Sequence, residues 1–226
     1  MKQGNVFVSL VVSIIIQLLT GLIGFGVLFF KVPSDLEIIK QMLVLEVVVQ
    51  FVEGFFYLYW LYNFNGILNI TPKRYFDWVI TTPTMLITLI YYLLFLEYRE
   101  KKKGDPMEFF TIFNNNVYTI VPILLLNWLM LLFGYLGEIQ VIPIVWGVVL
   151  GFIPFLIYYY MIYTQYAVLS ESGFKIFFYF FFFWSLYGIA ALLPYRMKNT
   201  FYNILDLFAK NFFGIYLIYI LLTQKI

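Results

Sequence analysis

Apolar residues run along this chain in long unbroken stretches, and polar residues gather in the gaps between them. Seven stretches reach the length of about 20 mostly apolar residues that a helix needs to cross a bilayer at ~1.5 Å rise per residue. They fall at roughly 5–30, 38–62, 74–96, 108–133, 139–163, 174–195 and 200–222. The first exceeds the ~7–15 apolar residues of a secretory signal, and no small-residue cleavage pattern follows it. It is therefore expected to remain as the first span of the protein.

The gaps are short and carry most of the charge. The first holds Lys31, Asp35, Glu37 and Lys40, the second reads NFNGILNITP, and the third reads EYREKKKGDPME with a turn signal at Gly104-Asp105-Pro106. Lys31, Lys40, Arg99, Lys101, Lys102, Lys103 and Lys175 fall on one side of a seven-span bundle. Lys2, Lys73, Arg196 and Lys198 fall on the other. The excess of basic residues in cytoplasmic links then predicts an extracellular N-terminus and a cytoplasmic C-terminus. The expected fold is an all-α membrane protein: one domain over 1–226, a seven-transmembrane-helix bundle, integral and multi-pass in a lipid bilayer.

Composition sharpens this reading. Of 226 residues 63% are hydrophobic and only 12% charged, against about 45–50% and about 25% in soluble domains. The mean hydropathy of +0.90 points the same way. Cys and His are both absent. That excludes disulfide frameworks, Cys/His metal centres, thiol catalysis and histidine-based triads, and no metal site is expected. A net charge of +2 with no basic face gives no footprint for nucleic acid. No nucleophile–base pair or metal-ligand cluster stands out, so enzymatic turnover is not expected.

The informative charges lie inside the spans, where burial is costly and an ionisable side chain is a functional candidate. They are Glu46 and Glu53 in the second span, Arg74 and Asp77 in the third, and Asp206 and Lys210 in the seventh. Asp206 and Lys210 are four residues apart and share a helix face. Lys210 lies near the middle of its span, too deep for its amine to reach either interface easily. The spacing alone suits an ion pair that serves packing. It also suits a desolvated amine able to form an imine with an aldehyde, whose protonated form needs a carboxylate beside it. The third span offers one: Arg74, Asp77 and Thr81 form a single stripe, with Pro83 placed to kink the helix. Arg74 and a protonated imine balance Asp77 and Asp206, giving the neutral quartet that a low dielectric favours.

Three motifs carry a resemblance. RYFDWVITTP (74–83) in the third span resembles the counterion signature of the microbial (type 1) rhodopsins. DLFAKNFFG (206–214) in the seventh resembles their retinal-lysine signature. Phe183-Trp184-Ser185-Leu186-Tyr187-Gly188 in the sixth resembles their W-S-x-Y-P stretch. The resemblance covers nearly the whole chain, and the short links and small size bring it close to the viral rhodopsins. It implies all-trans retinal bound as a Schiff base to Lys210, with Asp77 as primary counterion and proton acceptor and Asp206 as second counterion. It implies that Arg74 guards the extracellular half-channel. Trp78, Thr82, Trp184 and Tyr187 would line the polyene pocket, with Trp146 in the fifth span a looser match. The implied partners are retinal, lipid and small cations or protons. A homo-oligomer is expected, with dimer, trimer and pentamer all open. For a viral protein the membrane would be a plasma or internal membrane of the host.

The departures concern transport. Gly188 stands where the family usually has proline. Thr88, eleven residues after Asp77, stands where pumps commonly place a proton-donating carboxylate. PYRMKNT (194–200) lacks the glutamate often tied to extracellular proton release, and Lys198 sits near that place. Glu46 and Glu53, seven apart, form a stripe about 10 Å long, and Gln50 continues that face. This file resembles the glutamate-lined second helix of channelrhodopsins, whose groups replace part of a cation's hydration shell. Ser13 and Gln17 in the first span and Asn203 in the seventh would complete the path. The leading expectation is a light-gated cation channel, with an outward proton pump and a sensory photoreceptor as alternatives. The same glutamates could instead be protonated and hydrogen-bonded between helices.

Overall fold

The computed structural model describes residues 4–64, 69–101 and 107–224. Gly104-Asp105-Pro106 and Lys102, Lys103 and Lys2 lie outside the described residues. Among those described, seven helical spans are long and apolar enough to cross a membrane. They are α1 (Gly4–Val27), α2 (Glu37–Tyr62), α3 (Thr71–Glu100), α4 (Phe109–Glu138), α5 (Ile144–Gln165), α6 (Glu171–Ala191) and a seventh span, Tyr195–Thr223. The seventh comprises α7 (Tyr195–Asp206), a π-helical turn (Leu207–Asn211) and α8 (Phe212–Thr223). The seven predicted stretches are therefore all present. The third and fourth are longer than hydropathy suggested because their polar ends continue the helix. The fifth starts at Ile144, not 139, because Gln140 has positive φ in the turn and Pro143 precedes the helix.

Local chemistry sets the boundaries. Pro72, Pro143 and Pro194 stand at helix starts, where a missing N–H is no loss. Ser170 caps α6 by accepting the Gly173 amide at 2.9 Å. Inside α3, Pro83 cannot donate to the carbonyl of Val79, four residues back. Trp128 of α4 takes up that orphan: its indole Nε1 donates to Val79 O at 3.0 Å.

In a bilayer, burying apolar area between helices gains little, so close packing and polar contacts hold the bundle. A Cβ on Gly24 of α1 would sit 2.9 Å from Val47 of α2, and one on Gly147 of α5 would sit 2.9 Å from the Phe133 carbonyl of α4. Glycine at these points lets the helices touch. Gly188 of α6 does the same against α5: a Cβ there would meet the Phe152 ring at 2.4 Å. The residue replacing the expected proline is thus a packing site. The third span is the most enclosed and contributes Asp77, Trp78, Thr82 and Met85 to the centre.

Candidate functional site

The π-helical turn Leu207–Asn211 carries Lys210, whose side chain is buried. Its Nζ lies 3.2 Å from Asp77 Oδ2, 3.2 Å from Glu53 Oε1 and 3.4 Å from Asp206 Oδ1. It donates a hydrogen bond to Asp77. The sequence brought Asp77 and Asp206 to this amine but assigned Glu53 to a separate stripe. The structure places Glu53 at the amine as well, because the face of α2 that bears it packs onto the seventh span.

Asp206 is held from two further sides. Tyr187 of α6 donates to Oδ1 at 2.7 Å, and Tyr57 of α2 donates to Oδ2. Tyr57 in turn accepts from Arg74 Nη1 at 2.8 Å, while Nη1 stands 3.6 Å from Asp206 Oδ2. The rest of the guanidinium is used too: Nε donates to Asn199 Oδ1 at 3.1 Å and Nη2 donates to Asn203 Oδ1. Asn199 passes the contact to Thr71 Oγ1 at 2.9 Å. The rings of Tyr57, Trp60 and Tyr202 surround the guanidinium at 5.3, 5.0 and 5.7 Å, which suits a desolvated cation. Sequence reasoning missed Tyr57 and Asn199. Among 20 tyrosines, the available signal was that Tyr57 lies four residues after Glu53 and so shares its face.

Two cations, Arg74 and Lys210, thus meet three carboxyl groups, Glu53, Asp77 and Asp206. Electroneutrality in a low dielectric calls for one further positive charge, as a proton or a cation.

On the far side of Lys210 an apolar cavity lies among α3, α4, α5, α6 and the seventh span. Its walls include Trp78, Thr82, Met85, Phe155, Trp184 and Tyr187, and among the described residues Lys210 is the one charged side chain in its wall. Thr82 Oγ1 donates to Trp78 O at 2.7 Å and accepts from Asn127 Nδ2 at 2.8 Å. Trp78, Thr82, Trp184 and Tyr187 are therefore all at this cavity. Trp146 is the correction: it is 59% exposed on the outer surface of α5. The neighbouring Gly147 and Gly151 face the cavity instead, and one residue around a helix turns a side chain by about 100°.

The remaining predicted residues lie where α1, α2 and the seventh span meet. Ser13 Oγ donates to the Asn203 carbonyl at 2.8 Å, and Asn203 Nδ2 donates to Ser9 Oγ at 2.9 Å. Gln17, Glu46 and Gln50 are buried; the two glutamine amides find no hydrogen-bond partner, and the Glu46 carboxyl is within hydrogen-bonding reach of Thr88 of α3. Toward the mouth near Arg74, Lys198 pairs with Glu138 of α4 at 2.7 Å, a contact the sequence did not suggest.

An amine buried among carboxylates thus opens onto a cavity walled by aromatic rings within seven membrane spans. A family of bacteriorhodopsin-like proteins matches residues 8–224. Among solved structures the chain is similar to the viral rhodopsin OLPVRII, with 31% identity, TM-score 0.80, and coverage of 98% of this chain and 99% of that one. The thermophilic rhodopsin from Rubrobacter xylanophilus is similar at 20% identity, TM-score 0.75, with 95% of each chain covered. Xanthorhodopsin, titled a light-driven ion pump with dual chromophore, follows at 18% identity, TM-score 0.75, covering 98% of this chain and 94% of that one. No curated protein sequence matches the chain closely enough to count as a relative. The chain belongs to the bacteriorhodopsin-like family of microbial rhodopsins, and it is an integral, multi-pass membrane protein.

Proposed function

We propose that the chain is a single-domain light-gated cation channel of viral type, with retinal held covalently on Lys210. The cavity supports the first part. It is apolar, faced by flat rings, and has one amine in its wall, which fits an extended polyene aldehyde. Retinal bound there supplies the absorption of light and a change of shape. The protein's residues do the rest. Trp78 and Trp184 confine the polyene, Asp77 accepts a hydrogen bond from the Lys210 nitrogen and is the first proton acceptor, and Asp206 is fixed by Tyr57 and Tyr187. Arg74 closes the extracellular side, with the N-terminus outside and the C-terminus in the cytoplasm. The cofactor is a chromophore, and no turnover chemistry is assigned to the chain.

The observation that carries the channel reading is the set of buried, oxygen-bearing side chains at Gln17, Glu46 and Gln50, the two amides without a hydrogen-bond partner, continued by Glu53 to the amine. Such groups can replace water around a cation. An outward proton pump is the second reading, favoured by the Lys210–Asp77 hydrogen bond at 3.2 Å. Thr88 in place of a donor carboxyl and the Lys198–Glu138 ion pair weigh against it. A light-evoked current–voltage curve separates them. A channel current reverses with the cation gradient. A current that stays outward at every voltage would reject the channel.

A further inference from the structure

The π-helical turn that carries Lys210 diverts one backbone hydrogen bond. The Phe212 amide donates to Leu207 O, five residues back, and not to Phe208 O, the acceptor an α-helix would give it. Phe208 O is met from another span: the Tyr179 hydroxyl of α6 donates to it at 2.7 Å. Phe208 lies near the middle of the seventh span, Tyr195–Thr223, and Phe208 and Phe212 are 37% and 55% exposed on the outer surface of the bundle. At that depth the surroundings are hydrocarbon, where water does not replace a lost donor. Aromatic rings fix the place of the hydroxyl. The Tyr179 ring lies 4.7 Å from that of Phe183. Phe183 stacks on Phe208 at 5.1 Å and 5°, and Phe208 stacks on Phe212 at 6.0 Å and 16°. The stack joins α6 to the lysine turn and to the first residue of α8.

We propose that Tyr179 is a positioning residue for Lys210: its hydroxyl stabilises the π-helical turn and so sets where the lysine nitrogen stands among Asp77, Glu53 and Asp206. Lys210 Nζ lies 3.2, 3.2 and 3.4 Å from these three carboxyl groups. Return of the Phe212 amide to Phe208 O would take one residue out of the turn. One residue of α-helix is about 100° of rotation and ~1.5 Å of rise, so the two halves of the span would turn against each other and the three distances could not all be kept. Tyr179 acts through the backbone two residues before Lys210. The bond also couples α6 to the lysine, because withdrawal of the hydroxyl leaves Phe208 O free to take back the Phe212 amide. The effect on a pigment rests on the retinal reading above, while the hold on the turn has a separate readout.

The test uses the full-length protein supplied with retinal and compares it with Tyr179→Phe, which keeps the ring and removes the donor. Tyr92→Phe is the control. It also removes a tyrosine hydrogen bond to the seventh span, that of Tyr92 to the Tyr216 hydroxyl at 2.9 Å, but beyond the π-helical turn. The first readout is amide hydrogen exchange of the peptide spanning 206–214. In Tyr179→Phe it is expected to become roughly tenfold faster, with other peptides unchanged, which also shows that the variant folds. The second is the visible band and the imine C=N stretch in H2O and D2O, whose difference reports the hydrogen bond made by the Lys210 nitrogen. Both are expected to shift in Tyr179→Phe and to stay in Tyr92→Phe. Placing p-aminophenylalanine at 179, which returns an N–H donor, is expected to recover both readouts. Unchanged exchange in Tyr179→Phe would overturn the proposal. Faster exchange with an unmoved visible band and C=N stretch would overturn it too, leaving Tyr179 a packing contact. Absence of a visible band from the unmodified protein would reject the retinal reading, and the exchange comparison would still decide whether Tyr179 holds the turn.

Discussion

Tyr57 shows what a single side chain contributes here. Its hydroxyl donates to Asp206 and accepts from Arg74 Nη1 at 2.8 Å, so it joins a buried anion to a buried cation. Hydrogen bonds to charged groups contribute about 1.5–3 kcal/mol. Tyr57→Phe is expected to cost about that much stability and to move the visible band, while Tyr59→Phe on the outer face moves neither; thermal bleaching and absorption spectra check both. Glu46 and Glu53 are expected to separate in the same way. Glu53→Gln removes a carboxylate 3.2 Å from Lys210 and shifts the band, whereas Glu46→Gln changes conductance with little colour change. Equal spectral shifts would mean that both acids face the amine. At this scale the sequence was legible wherever a motif fixed depth and partner together, as for Asp77, Asp206 and Lys210. Helical arithmetic put Glu46 and Glu53 on one face but said nothing about which residue across the interface each would meet. For Trp146 even the face was wrong, because with 23% aromatics an aromatic near the right register carries little information.

The helices themselves were legible because only a helix satisfies its own backbone over a bilayer's thickness. Hydropathy marks where apolar residues stop and not where helical hydrogen bonds stop, so α3 and α4 ran past their expected ends. Two devices need the tertiary structure to be seen. Trp128 donates to Val79 O at 3.0 Å, the carbonyl that Pro83 leaves free. Trp128→Phe keeps the ring and orphans that carbonyl, and the expected cost is about 1–3 kcal/mol, read as a lower bleaching temperature. Gly188 accepts the edge of Phe152, which a Cβ would meet at 2.4 Å. Gly188→Ala should destabilise by about 1–3 kcal/mol through overpacking. Phe152→Ala in the same protein should recover much of that loss, and no recovery would show that the contact is not what selects glycine.

For the whole molecule, the two ends of the bundle differ in how they are tied. Lys198 and Glu138 join α7 to α4 at 2.7 Å with side chains 11% and 6% exposed. At the opposite end Arg99 and Asp35 pair at 2.7 Å with both side chains well exposed. Surface pairs contribute about 0–1 kcal/mol, whereas removing one partner of a buried pair costs roughly 3–5 kcal/mol. Lys198→Met should therefore destabilise far more than Arg99→Met, and Lys198→Met with Glu138→Met should be milder than Lys198→Met alone, as thermal bleaching would report. The bundle, its family and its membrane character follow from long apolar runs and three motifs. The tie between α4 and α7 does not, because both residues lie near links that sequence reads only as charged. All of the proposed chemistry depends on Lys210 holding retinal, so mass spectrometry of the borohydride-reduced, retinal-supplied protein is the most direct measurement. A retinyl adduct on the peptide containing Lys210, with the visible band abolished in Lys210→Ala, is the expected result. An unmodified Lys210 peptide, or a visible band that persists in Lys210→Ala, would contradict it.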